Sequence, residues 1–188
     1  GSWSQAWVSS AGGGVCALNS AATFDNVVFS SNFADSGGGL YVGASSTVEV
    51  VHGWFDDNSA SDGGGIATDT SDLNVSNTVI ACNSATVDGG GSFSDTSGSV
   101  NFTNILFAMN TSGTATTNGS QTYSGSSVTL MLWNMVAQAN TTSPMFYNMG
   151  TASIGYADAY NAGGGGTTSG TWSATSVTSS GSQYPNIS

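Results

Sequence analysis

Four triple glycines, Gly12-Gly13-Gly14, Gly37-Gly38-Gly39, Gly63-Gly64-Gly65 and Gly89-Gly90-Gly91, open at intervals of 25, 26 and 26 residues. A second unit recurs in the same order between and beyond them: Asn26–Asn32 (NVVFSSN), His52–Asn58 (HGWFDDN), Asn77–Asn83 (NTVIACN), Asn104–Asn110 (NILFAMN) and Asn134–Asn140 (NMVAQAN). A unit this short cannot bury its own apolar residues, so it becomes stable only by stacking on its neighbours. Within one unit the glycines are followed by alternating runs such as Leu40-Tyr41-Val42 and Val48-Glu49-Val50, then by Trp54-Phe55. The pattern predicts an all-β, right-handed parallel β-helix of about 25 residues per coil, with three short strands per coil and a turn at each glycine cluster.

Residues 12–160 carry the repeats. Residues 1–11, with Trp3 and Trp7, read as an N-terminal capping or docking segment. The Gly/Ser/Thr-rich residues 161–188 read as a last coil, a linker or a docking strand. The closing Asn of each unit falls at the same place on successive coils, which predicts a ladder of stacked amides through Asn32, Asn58, Asn83, Asn110 and Asn140. A looser column runs through Asn26, Asn77, Asn104 and Asn134, with His52 interrupting it. The competing reading is that these Asn occupy exposed left-handed turns, which Asn tolerates.

Charge excludes several classes of function. The chain has 11 acidic residues, one His and no Lys or Arg, a net charge of −11. Affinity for nucleic acid comes from cationic side chains that displace condensed counterions, so nucleic-acid binding is not expected. Attraction to anionic membranes fails for the same reason. No apolar run approaches the ~20 residues that span a bilayer, so no membrane insertion is expected. High acidity suits an extracellular, saline setting in which ions screen the repulsion between copies. The opening Gly1-Ser2-Trp3, with neither Met nor a basic leader, reads as the start of a processed chain or a piece of a longer one. Cys16 and Cys82 give no disulfide framework and lie too many coils apart to bridge, so they are expected to be buried free thiols or to act between molecules.

Phe29-Ser-Ser-Asn32, Phe55-Asp-Asp-Asn58 and Phe107-Ala-Met-Asn110, paired with Gly-Gly-Gly-Leu/Ile as at Gly63-Gly64-Gly65-Ile66, resemble the polymorphic outer-membrane protein repeat of chlamydial-type autotransporter passengers. The resemblance spans about residues 12–160. It implies a right-handed β-helix and surface display, adhesion or scaffolding. The chain departs from a whole passenger in carrying no membrane barrel.

Candidate chemistry is sparse. A β-helix lyase would use a basic side chain, commonly Arg, to remove a proton, and this chain has no Lys or Arg. A polysaccharide hydrolase needs clustered carboxylates, one with a raised pKa, and the local candidate is Asp56-Asp57 with His52. Those two Asp occupy variable positions where a solvent-facing turn is expected, so no catalytic residue is assigned. Asp62 and Asp88, each just before a triple glycine, stack on adjacent coils and are weak candidates to hold Ca²⁺; no other metal or cofactor is expected. Sequons at Asn74, Asn101 and Asn118 are the better-exposed candidates for glycosylation, whereas those at Asn110 and Asn140 compete with the ladder. The leading expectation is an extracellular structural protein whose copies self-associate end to end into a filament or surface layer. The alternatives are an adhesin or glycan-binding module using Trp54, Trp133, Tyr123 or Tyr156, with Trp54 expected in the core, and, behind it, a polysaccharide hydrolase.

Overall fold

A computed structural model describes residues 11–113, 118–139, 142–161, 168–170 and 173–178. Every described element is a strand, and every strand pairing is parallel. One sheet stacks seven short strands in chain order: Val15–Leu18, Leu40–Gly43, Ile66–Asp69, Ser92–Asp95, Thr122–Ser124, Phe146–Asn148 and Thr168–Gly170. The other has nine strands and includes Ala21–Asp25, Thr47–Val51, Asp72–Ala81, Gly98–Ala108, Val128–Ala139, Thr151–Asn161 and Ser173–Thr178. A two-stranded patch, Ser59–Ala60 with Ser84–Ala85, completes the wall. The chain is therefore a β-solenoid. It continues beyond residue 160: Thr168–Gly170 and Ser173–Thr178 extend both sheets in register. Trp3 and Trp7 lie outside the described residues.

The second and third strands of each coil are separate only in the first two coils. From Asp72 onward they run on as one strand that bends at a left-handed residue. Asn26, His52, Asn77, Asn104, Asn134 and Tyr156 occupy this corner, with φ of 56°, 54°, 50°, 56°, 51° and 50°. The outer Asn column is thus both a turn and a partial ladder: Asn104 Nδ2 donates to Asn77 Oδ1 at 2.9 Å, and Asn134 Nδ2 to Asn104 Oδ1 at 2.5 Å. His52 instead pairs its Nδ1 with Asp25 Oδ1 at 3.0 Å.

Alternation decides what is buried. After the corner, Phe29, Phe55, Ile80, Phe107 and Ala137 point inward, and Phe29 and Phe55 stack with centroids 4.4 Å apart. Their neighbours Val28, Trp54, Leu106 and Val136 point outward. Trp54, expected in the core, is 47 % exposed, because the inward phase belongs to Phe55. Both cysteines are free and exposed rather than buried: Cys16 faces out from the first sheet and Cys82 sits in a left-handed turn at φ 56°.

The inner amide ladder forms. Asn83 Oδ1 accepts from the backbone N and Nδ2 of Asn58 at 3.0 and 2.9 Å, and Asn110 Oδ1 accepts from the same two atoms of Asn83 at 2.9 and 3.0 Å. Asn32, half-buried, starts the described ladder by donating to Asn58 Oδ1. The third glycine of each triplet makes room for it: a Cβ on Gly65 or Gly91 would press on Asn83 or Asn110 at 3.2–3.3 Å and on a neighbouring carbonyl at 2.5–2.6 Å. In the next coil Gln121 stands where that glycine would be, and its Oε1 receives Asn110 Nδ2 at 2.5 Å. The expected next rung, Asn140, lies outside the described residues.

Candidate ligand-binding groove

The residue following each coil's first inward position on the seven-stranded sheet lies on its outer face, exposed or part-exposed except at Ala67, which its neighbours cover. The strand register stacks these residues as Cys16, Tyr41, Ala67, Phe93, Tyr123 and Tyr147. Phe93, Tyr123 and Tyr147 form a continuous pile, with centroids 5.1 and 5.4 Å apart and planes within 20–21°. Ala67 interrupts the aromatic run between Tyr41 and Phe93. A depression of about 230 Å³ opens beside the column, lined by Tyr41 and Phe93 and by Asp35, Ser36, Asp69, Asp95 and Thr96; Ala67, 1 % exposed, is covered and does not line it.

Carboxylates border the aromatic column on both sides. Asp69 and Asp95 are register partners two residues beyond Ala67 and Phe93. On the opposite side the turn before the glycines carries Ser36, Asp62 and Asp88, joined coil to coil through Gly37 N to Asp62 O and Gly63 N to Asp88 O at 3.0 Å. Asp62 Oδ1 also accepts from Asp88 N at 3.3 Å. Burial, with the Asp62 charge adding to it, pushes Asp88 up to about 6. Burial also raises Asp62, opposed by the hydrogen bond from the Asp88 backbone and reinforced by Asp95. The hydroxyls of Tyr41 and Tyr123 are raised by burial first and then by the surrounding carboxylates. Oδ1 of Asp69 and Oδ1 of Asp88 are shielded from solvent without a hydrogen-bond donor from the protein.

Because the folded chain holds the Asp88 proton more tightly than the unfolded one, this group's stabilising contribution is complete below about pH 3.8 and is lost as pH rises through about 6. Asp88→Asn removes the charge while keeping the shape. The side chain is part-exposed, so solvent screening trims the gain to about 1 kcal/mol, or a rise in melting temperature of about 2–4 °C at pH 7.5. The gain should vanish at pH 3.5. Equal melting temperatures for variant and wild type at pH 7.5 would remove the strain assigned to Asp88.

The other candidate residues fall elsewhere. Asp62 and Asp88 do stack on adjacent coils, as the Ca²⁺ reading required, but among the described residues no three His, Cys, Asp or Glu side chains gather as a metal site. Asp56 lies half-buried in a strand, and Asp57 is exposed in a left-handed turn where its Oδ2 accepts from Ser31 Oγ at 3.2 Å. His52 turns to Asp25 and not to either of them. Asn74 is exposed and half-buried Asn101 donates to its Oδ1 at 2.8 Å. Asn118, expected to be exposed, is 8 % exposed and its Nδ2 donates to Val87 O at 2.7 Å, because the segment folds back onto the preceding coil. Asn110 is buried in the ladder. Trp133 and Tyr156 are exposed and meet edge to face, at 4.9 Å, on the outer corner away from the groove. Sequence reasoning passed over Tyr41, Phe93 and Tyr147; the signal was an aromatic residue two places after the glycine triplet or its equivalent.

No protein-family model, no curated protein and no solved structure matches this chain.

Proposed function

We propose that the chain is an extracellular β-solenoid that binds glycan chains along the outer face of its seven-stranded sheet. The observation that carries this reading is the part-exposed aromatic column beside a depression walled by Tyr41, Phe93 and hydroxyl and carboxylate groups. Sugars are bound by stacking their C–H faces on aromatic rings while polar groups at the edge take their hydroxyls, and the depression combines the two. Its volume lies below the ~300–1,000 Å³ of sites that enclose drug-sized ligands, which suits one ring of a longer chain rather than a whole small molecule. Surface display, as the repeat resemblance implies, fits such a role. The test is a screen of the protein against immobilised polysaccharides, followed by calorimetry with the best oligosaccharide. Phe93→Ala is expected to weaken binding at least tenfold with little loss of stability, since the ring is part-exposed. Unchanged affinity in Phe93→Ala would move any glycan site off this sheet.

A second reading, a structural protein whose copies self-associate, is favoured by the exposed apolar ridge Val28, Trp54, Leu106 and Val136 along the other sheet. Screening of the net charge by salt would let such ridges meet. Sedimentation and electron microscopy at low and seawater-like salt are expected to reveal assemblies at high salt that Trp54→Ser shortens or abolishes. Monomers at every salt concentration would reject this reading.

A further inference from the structure

We propose that the solenoid binds ordered water in its interior behind the strands Ser92–Asp95 and Thr122–Ser124, one molecule bridging Ser92 to Thr122 and another bridging Ser94 to Ser124. These residues are register partners on adjacent coils and face inward, each 1 % exposed or less. None of their four hydroxyls has a hydrogen-bond partner among the described residues. Native interiors leave only a few polar groups unpaired, so four on two neighbouring strands mark a place where something other than the chain supplies the partners.

The same two columns are aliphatic earlier in the chain. Leu40 and Ile66 precede Ser92 in register, and Val42 begins the column that continues through Thr68 to Ser94. Backbone pairing fixes the height of each coil, so the shorter side chains of Ser92 and Ser94 leave room that Leu40, Ile66 and Val42 fill. The chain cannot satisfy the hydroxyls across that room. Register partners on parallel strands stand ~4.8 Å apart, too far for a direct O–H···O bond of ~2.7–2.8 Å. The inward residues of the nine-stranded sheet in these coils, Val100, Phe102, Leu130 and Leu132, are apolar and belong to the buried core. A water midway between two such hydroxyls reaches both at ordinary bond length and gains the two polar partners that a buried water needs at least. Other occupants fit less well. Four neutral hydroxyls carry no charge to hold an ion, and an apolar guest would leave all four unpaired.

Two measurements on Thr122→Val test the assignment. Valine keeps the shape of threonine and removes only the hydroxyl, so the variant is expected to fold. If water bridges Thr122 to Ser92, the substitution takes a partner from that water and leaves the Ser92 hydroxyl unpaired, and the melting temperature should fall by about 2–4 °C. In a dry interior the same change deletes an unpaired hydroxyl, and the melting temperature should rise. Magnetic relaxation dispersion of deuterium and oxygen-17 in the solvent counts the water molecules held inside the protein. The wild type is expected to hold at least one more than Thr122→Val, and Ser92→Ala, which removes the other end of the bridge, should lose the same one. A higher melting temperature in Thr122→Val overturns the proposal, because the hydroxyl had no partner. Equal counts of held water in the wild type and both variants overturn it as well, because no water depended on either hydroxyl.

Discussion

Asn83→Ala is expected to cost about 3–5 kcal/mol and to leave the chain largely unfolded at moderate denaturant. The Asn83 amide accepts from two donors of Asn58 and gives its own hydrogens to Phe55 O, Ala81 O and Asn110 Oδ1. Asn58, Asn83 and Asn110 are all fully buried, so none of the groups left behind can turn to water. Truncation thus orphans an N–H of the backbone and one of a side chain at once, each worth about 1–3 kcal/mol. The informative control is Asn104→Ala. Asn104 has the same side chain in the next coil, but it is exposed, at the left-handed corner, and bonded only to amides that water can reach. Its loss should cost about 1 kcal/mol or less, most of it backbone strain at φ 56°. Chemical denaturation of the two variants separates the roles. Losses of equal size would mean that the inner column is a packing feature like any other, and that the fold does not depend on its buried amides.

The contrast between the two Asn columns also explains what was legible before any coordinates. Repetition exposed the period, and identical residues at identical places exposed the inner ladder, because stacking an amide on itself needs both neighbours to be amides. The ladder's continuation was hidden. The register step from Ser92 to Thr122 is longer than those before it, so the fixed spacing fails where the strand with Gln121 arrives. Gln121 enters the ladder from the glycine position rather than the asparagine one, and no repeat alignment pairs those residues. Trp54 was misplaced for a simpler reason. Apolar residues occur at both positions of the pair Trp54-Phe55, and only strand alternation, read against Ile80 and Phe107, says which one is inside. The groove was least legible. Each aromatic residue of its column sits among unremarkable neighbours in the sequence, and the site exists only because the solenoid brings Tyr41, Phe93, Asp69 and Asp95 to one face.

Ala67→Phe tests that groove more sharply than any deletion. A phenyl ring at position 67 would stand between Tyr41 and Phe93 as Tyr123 stands between Phe93 and Tyr147, at the ring spacing the fold already accommodates. Ala67 is itself only 1 % exposed, so the new ring must push aside the neighbours that cover it, Tyr41 and Phe93 among them in the register. Such overpacking costs about 1–3 kcal/mol, offset in part by about 0.5–1.5 kcal/mol for each stacked pair, so the variant should fold and melt a few degrees below wild type. The same ring shifts the two aromatic walls assigned to the ligand. Affinity for the best saccharide should fall about a hundredfold, a loss of about 2.7 kcal/mol, with the carboxylates untouched. Calorimetry and thermal melting on one preparation give both numbers. A folded variant that binds as well as wild type would show that the walls formed by Tyr41 and Phe93 do not hold the glycan. A folded variant that has lost binding would assign recognition to those walls, because the carboxylates and hydroxyls around them are unchanged.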